Sequence, residues 1–131
     1  MAIIDKTIVG TGSVLSGEVD HFAGLAAEWW DPSGDFKSLH EINPLRANWI
    51  DKRAEVAEKT LLDVGCGGGI FSEAMAQRGA IVTGIDMGDA PLAVANLHKL
   101  ESGLKIDYVK ATAESFSDSN FQRFDAVTCL E

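Results

Sequence analysis

Residues 61–75 read LLDVGCGGGIFSEAM, and the fold is decided there. TLLDVGC (60–66) is a short apolar run ending in glycines, the pattern of a strand buried in a sheet. Gly65-Cys66-Gly67-Gly68-Gly69 then turns the chain, and a helical stretch, IFSEAMAQRG (70–79), follows at once and closes on Gly79. Glycines let the backbone turn sharply and let a ligand lie against the main chain. The helix start adds free N–H groups and the positive end of its dipole. Strand, glycine turn and helix together form a ligand-binding unit.

Downstream the same alternation repeats. IVTGIDM (81–87) predicts a second strand and DAPLAVANLHKLESG (89–103) a helix with Ala93, Leu97 and Leu100 on its packed face. KIDYVKA (105–111) and FDAVTCLE (124–131) predict two more strands. Strands alternating with helices mean βαβ units and a parallel sheet covered on both faces. Asp86 closes the second strand, 21 residues after Gly65, where a carboxylate can accept hydrogen bonds from ribose hydroxyls. A dinucleotide site would favour G-x-G-x-x-G, but the third glycine position is Ile70. Asp63 stands just before the first glycine, where it would repel a pyrophosphate and welcome a cation. These residues favour S-adenosylmethionine, which has one ribose, no phosphate and a cationic sulfur. An NAD-dependent oxidoreductase is the alternative enzyme class.

Upstream, residues 1–15 are rich in Gly, Ser and Thr, and poor order is expected there. Residues 16–58 predict a helical arm. Val19, Phe22, Ala26 and Trp29 share one face of a helix from Ser16, with Trp29 expected in the core. DPSGD (31–35) breaks that helix. A second helix is expected to begin at Asn43-Pro44, with Leu45, Trp49 and Val56 on its buried side. His98 reads as an exposed helix residue, His40 as a structural hydrogen-bonding group, and Cys66 as a small space-filling residue rather than a nucleophile. Residues 59–131 form the alternating section.

The composition bounds the function. With 131 residues the chain is one domain, and 46% apolar with 24% charged residues is the balance of a folded globular chain. A net charge of −9 argues against a broad nucleic-acid-binding face. No apolar run is long enough to span a bilayer, and the N-terminus lacks the core of a signal peptide. Cys66 and Cys129 fit no metal-binding spacing, and a reducing cytoplasm is expected. The fourth strand ends the sequence with no helix to cover it, so the chain is expected to be the front half of a longer protein.

DVGCGGG with GIDMG resembles the class I S-adenosylmethionine-dependent methyltransferases. AAEWWDPSGDFKSLHEINPLR (26–46) and AVTCLE (126–131) more closely resemble the ubiquinone-biosynthesis O-methyltransferases, and the likeness covers roughly residues 20–131. The resemblance implies the N-terminal half of a Rossmann-like class I methyltransferase fold, a three-layer α/β/α arrangement with a mostly parallel sheet. It implies O-methylation of polyprenyl-hydroxyphenol and demethylubiquinol intermediates. By position it assigns Arg46, Gly65 and Asp86 to the cofactor, and Leu130 to the adenine end. Asp63, Gly67 and Met87 complete the expected cofactor set. Arg46 suits the methionine carboxylate, because a guanidinium forks onto a carboxylate. Glu131 would open an acidic segment linked to a divalent metal such as Mg. Whether Thr112 or Glu114 meets the adenine stays open, as does the catalytic base. The resemblance further implies a complete enzyme that is cytoplasmic, peripheral to the inner membrane through its remaining half, and a possible member of a quinone-biosynthesis complex. The non-enzymatic alternative is a truncated fragment that binds S-adenosylmethionine without catalysis.

Overall fold

Nine elements follow one another in the computed structural model, which describes residues 12–120 and 123–130, with side chains from 21 to 117 and from 123 to 130. Helices α1 (Gly12–Trp29) and α2 (Lys37–Ala54) form the arm. Strand β1 (Thr60–Val64), helix α3 (Ile70–Gln77), strand β2 (Ile81–Asp86), helix α4 (Asp89–Ser102), strand β3 (Ile106–Lys110), helix α5 (Ala113–Asn120) and strand β4 (Ala126–Cys129) follow. The expected disorder at residues 1–11 lies outside the described residues, whereas residues 12–15 are already helical. Val19 belongs to α1, but its side chain also lies outside them.

The sheet is parallel, in the order β3-β2-β1-β4. The chain steps outward from β1 through β2 to β3, then crosses back to lay β4 on the other side of β1. Loops leaving β1 and β4 therefore diverge, which opens a crevice at the carboxyl ends of these strands. Register places Asp63 beside Gly84 on one side and Thr128 on the other. Leu61, Leu62, Met75 and Val94 are fully buried. Each such side chain contributes about 1.5–3 kcal/mol relative to exposure.

Helix α2 differs from expectation. It begins six residues before Asn43, so Asn43 is not its cap and Pro44 lies inside it. Leu39, Ile42, Asn43 and Arg46 fall at i, i+3, i+4 and i+7, and all four line one cavity. Ala47, Ile50 and Ala54 pack into the core on another side. With two faces engaged, Leu45 (70% exposed) and Trp49 (58%) are left facing solvent, and the Arg53 guanidinium lies 3.8 Å above the Trp49 ring. Val56 is buried as expected, but beyond the helix end. Helix α4 also departs from its simple stripe. Residues 92–96 are all buried, because the sheet covers one side and α1 the other, while Leu100 is exposed. Helix α5 was not expected from the sequence.

Candidate cofactor-binding site

The glycine turn is fastened from several directions. Gly65 and Cys66 both donate their N–H to the Ile85 carbonyl, at 2.8 and 3.0 Å. Asp86, half-buried at the end of β2, accepts the Gly67 N–H on Oδ2 at 2.9 Å and the Gly88 N–H on Oδ1 at 2.8 Å. One carboxylate thus ties the turn after β1 to the turn after β2. Gly68 has no room for a side chain, since an added Cβ would strike the Trp29 indole. Trp29 in turn stacks on Phe36, ring centres 4.3 Å apart.

Beneath the turn, Asp63 is 3% exposed. It accepts the Ser72 hydroxyl on Oδ2 at 2.7 Å and the Thr128 hydroxyl on Oδ1 at 3.0 Å. Hydroxyl donors of this kind stabilise a buried carboxylate. Cys66 is different: burial, then the charges of Asp63 and Asp86, push its thiol well above the ordinary range. It stays protonated near neutrality, as its space-filling reading requires.

Asp63, Asp86 and the turn from Gly65 to Gly68 line a cavity of about 360 Å³. It brings together Arg46, Asp63, Gly65, Gly67, Asp86 and Leu130, six of the residues expected at the cofactor. Arg46 is half-buried and has no hydrogen-bond or ion-pair partner among the described residues. Met87 is 55% exposed and does not line the cavity. Thr112 and Glu114 are exposed outside it, and Thr112 is engaged in capping α5. Glu131 lies outside the described residues. Among the described residues no group of three or more His, Cys, Asp or Glu could hold a metal ion.

Trp29, Phe36, Leu39, Ile42, Asn43 and Pro91 also line the cavity, and the sequence reading missed them as site residues. Trp29 was expected in the core; it is half-buried against Gly67 and Gly68, which have no side chains to fill the space. Asn43 donates its amide to the Ile70 carbonyl at 3.3 Å, which holds α2 at the start of α3. The spacing of 39, 42, 43 and 46 was the available signal.

A glycine turn at the switch point of a parallel sheet, closed by an acid on the next strand, defines a Rossmann-like nucleoside-cofactor domain. Residues 62–131 match the family model described as a methyltransferase domain, and the chain belongs to that family. It is 68% identical over 119 residues to a ubiquinone biosynthesis O-methyltransferase of Saccharophagus degradans, covering 91% of this chain and 50% of that protein. A ubiquinone biosynthesis O-methyltransferase of Pseudomonas paraeruginosa is 65% identical, covering 91% and 51%. The chain spans about half the length of these curated relatives. Among solved structures, magnesium protoporphyrin IX methyltransferase of Synechocystis PCC 6803 with bound SAM superposes with a TM-score of 0.65 at 19% identity, over 99% of this chain and 61% of that one. That likeness shows the fold, which is the Rossmann-like class I methyltransferase fold.

Proposed function

We propose that this chain carries the S-adenosylmethionine site of an O-methyltransferase of ubiquinone biosynthesis. The observation that carries the reading is a pair of groups in one cavity: Asp86, bracing the glycine turn, and Arg46, a guanidinium without a partner among the described residues. Each Asp86 oxygen holds one backbone N–H and keeps a lone pair for a ribose hydroxyl. Arg46 is the donor for the amino-acid carboxylate, and Asp63 is the nearby negative charge for the ammonium or sulfonium. The names of the relatives, at 62–68% identity, support the substrate class.

When bound, S-adenosylmethionine supplies a methyl group on a cationic sulfur, which an aromatic oxygen takes after losing its proton. The contribution of this half is to fix the donor's orientation and to shield it from water, effects worth several kcal/mol in alignment. The acceptor is a polyprenylated phenol or quinol. So apolar a tail places the complete enzyme at a membrane surface, on the cytoplasmic side, where other quinone-biosynthesis enzymes are its natural partners. No described helix is itself long and apolar enough to cross a membrane. A divalent metal, if used, would be held by an acidic segment that includes Glu131.

Calorimetric titration with S-adenosylhomocysteine tests the reading. Asp86→Ala is expected to abolish binding. Arg46→Ala is the cleaner probe, because it breaks no bond in the free protein. It should weaken S-adenosylhomocysteine by about tenfold or more, the worth of a charged hydrogen bond, with thermal stability little changed. Adenosine, which lacks the carboxylate, should bind both forms alike. Binding of NAD with no response to S-adenosylhomocysteine would refute the assignment.

A further inference from the structure

Behind the glycine turn, Trp30 is held by the turn itself and by residues from two helices, α2 and α4. Its indole Nε1–H donates to the Gly68 carbonyl at 3.1 Å. One face of the indole lies on the His98 imidazole, ring centres 3.5 Å apart and planes 2° from parallel. The His40 ring meets Trp30 edge-on at 5.8 Å, and His40 Nε2 is 2.9 Å from the Trp29 carbonyl. His98 was expected to be exposed on α4; instead its Nδ1 sits 2.6 Å from Oε2 of Glu73 on α3. An ionised carboxylate only accepts, so a contact of this kind pairs Glu73 with the His98 tautomer that carries a proton on Nδ1. Glu73 is 2% exposed, and its Oε1 has no hydrogen-bond partner among the described residues. Among the described residues, the exposed Glu101 also approaches the imidazole, 4.0 Å from Nε2.

A buried carboxylate with one oxygen unbonded adds nothing that a well-packed apolar side chain would not surpass in stability. What it supplies is orientation. Glu73 sets the plane of the imidazole, the imidazole sets the plane of the indole, and the indole aims its N–H at the loop. The Gly68–Gly69 peptide is then fixed at both ends, its carbonyl by Trp30 and its N–H by the Cys66 carbonyl at 3.1 Å. Gly67 and Gly68 face the cavity in the geometry this leaves them.

We propose that Glu73 and His98 are positioning residues for the cofactor loop, acting through Trp30. The proposal rests on the cavity being the S-adenosylmethionine site. A ligand lying on the loop and the clamp behind it favour the same backbone geometry, so each must strengthen the other by the same factor.

The test uses the 131-residue chain labelled at tryptophan nitrogen. S-adenosylhomocysteine affinity is measured by calorimetry, and hydrogen exchange of the Trp30 indole N–H by NMR. His98→Ala and Trp30→Phe should each weaken the ligand by about five- to tenfold, the net worth of one hydrogen bond, and the double variant no further. Glu73→Leu removes the acceptor while filling its space, and the variant should bind about as weakly as His98→Ala. Glu73→Gln, which can still accept the imidazole N–H, should restore binding. In the wild type, ligand should slow indole exchange. Equal affinity in wild type, Glu73→Leu and His98→Ala would overturn the proposal. If the wild type binds no S-adenosylhomocysteine, the cofactor reading fails by itself. The clamp is then judged in the free protein, where His98→Ala must speed indole exchange and an unchanged rate sinks it.

Discussion

Gly68 shows how closely the arm is fitted to the cofactor loop. Its backbone is in a region open to any residue, so only space forbids a side chain there, and the obstacle is the Trp29 indole. Gly68→Ala should therefore cost about 1–3 kcal/mol by overpacking. A smaller residue at the arm, as in Trp29→Leu, should recover much of that loss in the double variant. Chemical denaturation of the four proteins checks both statements, and additive losses would show that the two residues do not meet. The sequence made the ligand-facing backbone legible because glycine has few other reasons to occur four times in five positions. Asp63, Asp86 and Arg46 were legible from charge and resemblance. The aromatic wall was not, because an apolar helical stripe looks the same whether it covers a core or a cavity. The role of His98 was hidden for a related reason: its partner Glu73 is 25 residues away, and no local spacing connects them.

At the scale of the element, α2 and α5 are instructive. Asn-Pro is a strong helix-start signal, since proline's missing N–H is harmless in the first turn. In α2 it sits in the second turn instead, and the His40 carbonyl loses its helical donor. Tertiary contacts override the local preference: Phe36 stacks on Trp29, Asn43 reaches Ile70, and Ala47 is fully buried. Pro44→Ala should then stabilise the chain by about 1 kcal/mol or more, after allowing for the freer unfolded state. In a thermal melt this reads as a rise of a few degrees; a fall would mean that Pro44 fixes a bend the site needs. Helix α5 was missed because Phe116 is nearly its only large apolar residue. Its start was nonetheless written in the sequence. Thr112 Oγ1 accepts the Ser115 N–H at 3.0 Å and the Ser115 hydroxyl accepts the Thr112 N–H at 3.2 Å, a reciprocal cap of the kind serine and threonine make.

For the whole molecule, the alternation of buried strands and helices dictated the layers, while the strand order needed the structure. Stacking those layers buries two weak acids, one in the glycine loop and one against it, and this gives the domain a definite response to alkali. Cys66 is 8% exposed and Tyr108 7%. Burial pushes both acids upward, aided for Cys66 by the charges of Asp63 and Asp86, and for Tyr108 by Cys66, Glu73 and Asp63. In the unfolded chain they ionise near about pH 8.5 and about pH 10, whereas the folded chain keeps both protonated there. Above those values the unfolded state holds fewer protons than the folded one, so stability falls as pH rises. Each group removes about 1.4 kcal/mol per pH unit beyond its unfolded pKa. Denaturation midpoints should hold near neutrality, decline from about pH 8.5, and decline more steeply from about pH 10. Cys66→Ala should flatten the first decline and leave the second. If the wild type and Cys66→Ala lose stability in parallel between those two points, the thiol is not kept neutral by the fold, and the packing of the glycine turn over β1 and β2 is looser than its geometry states.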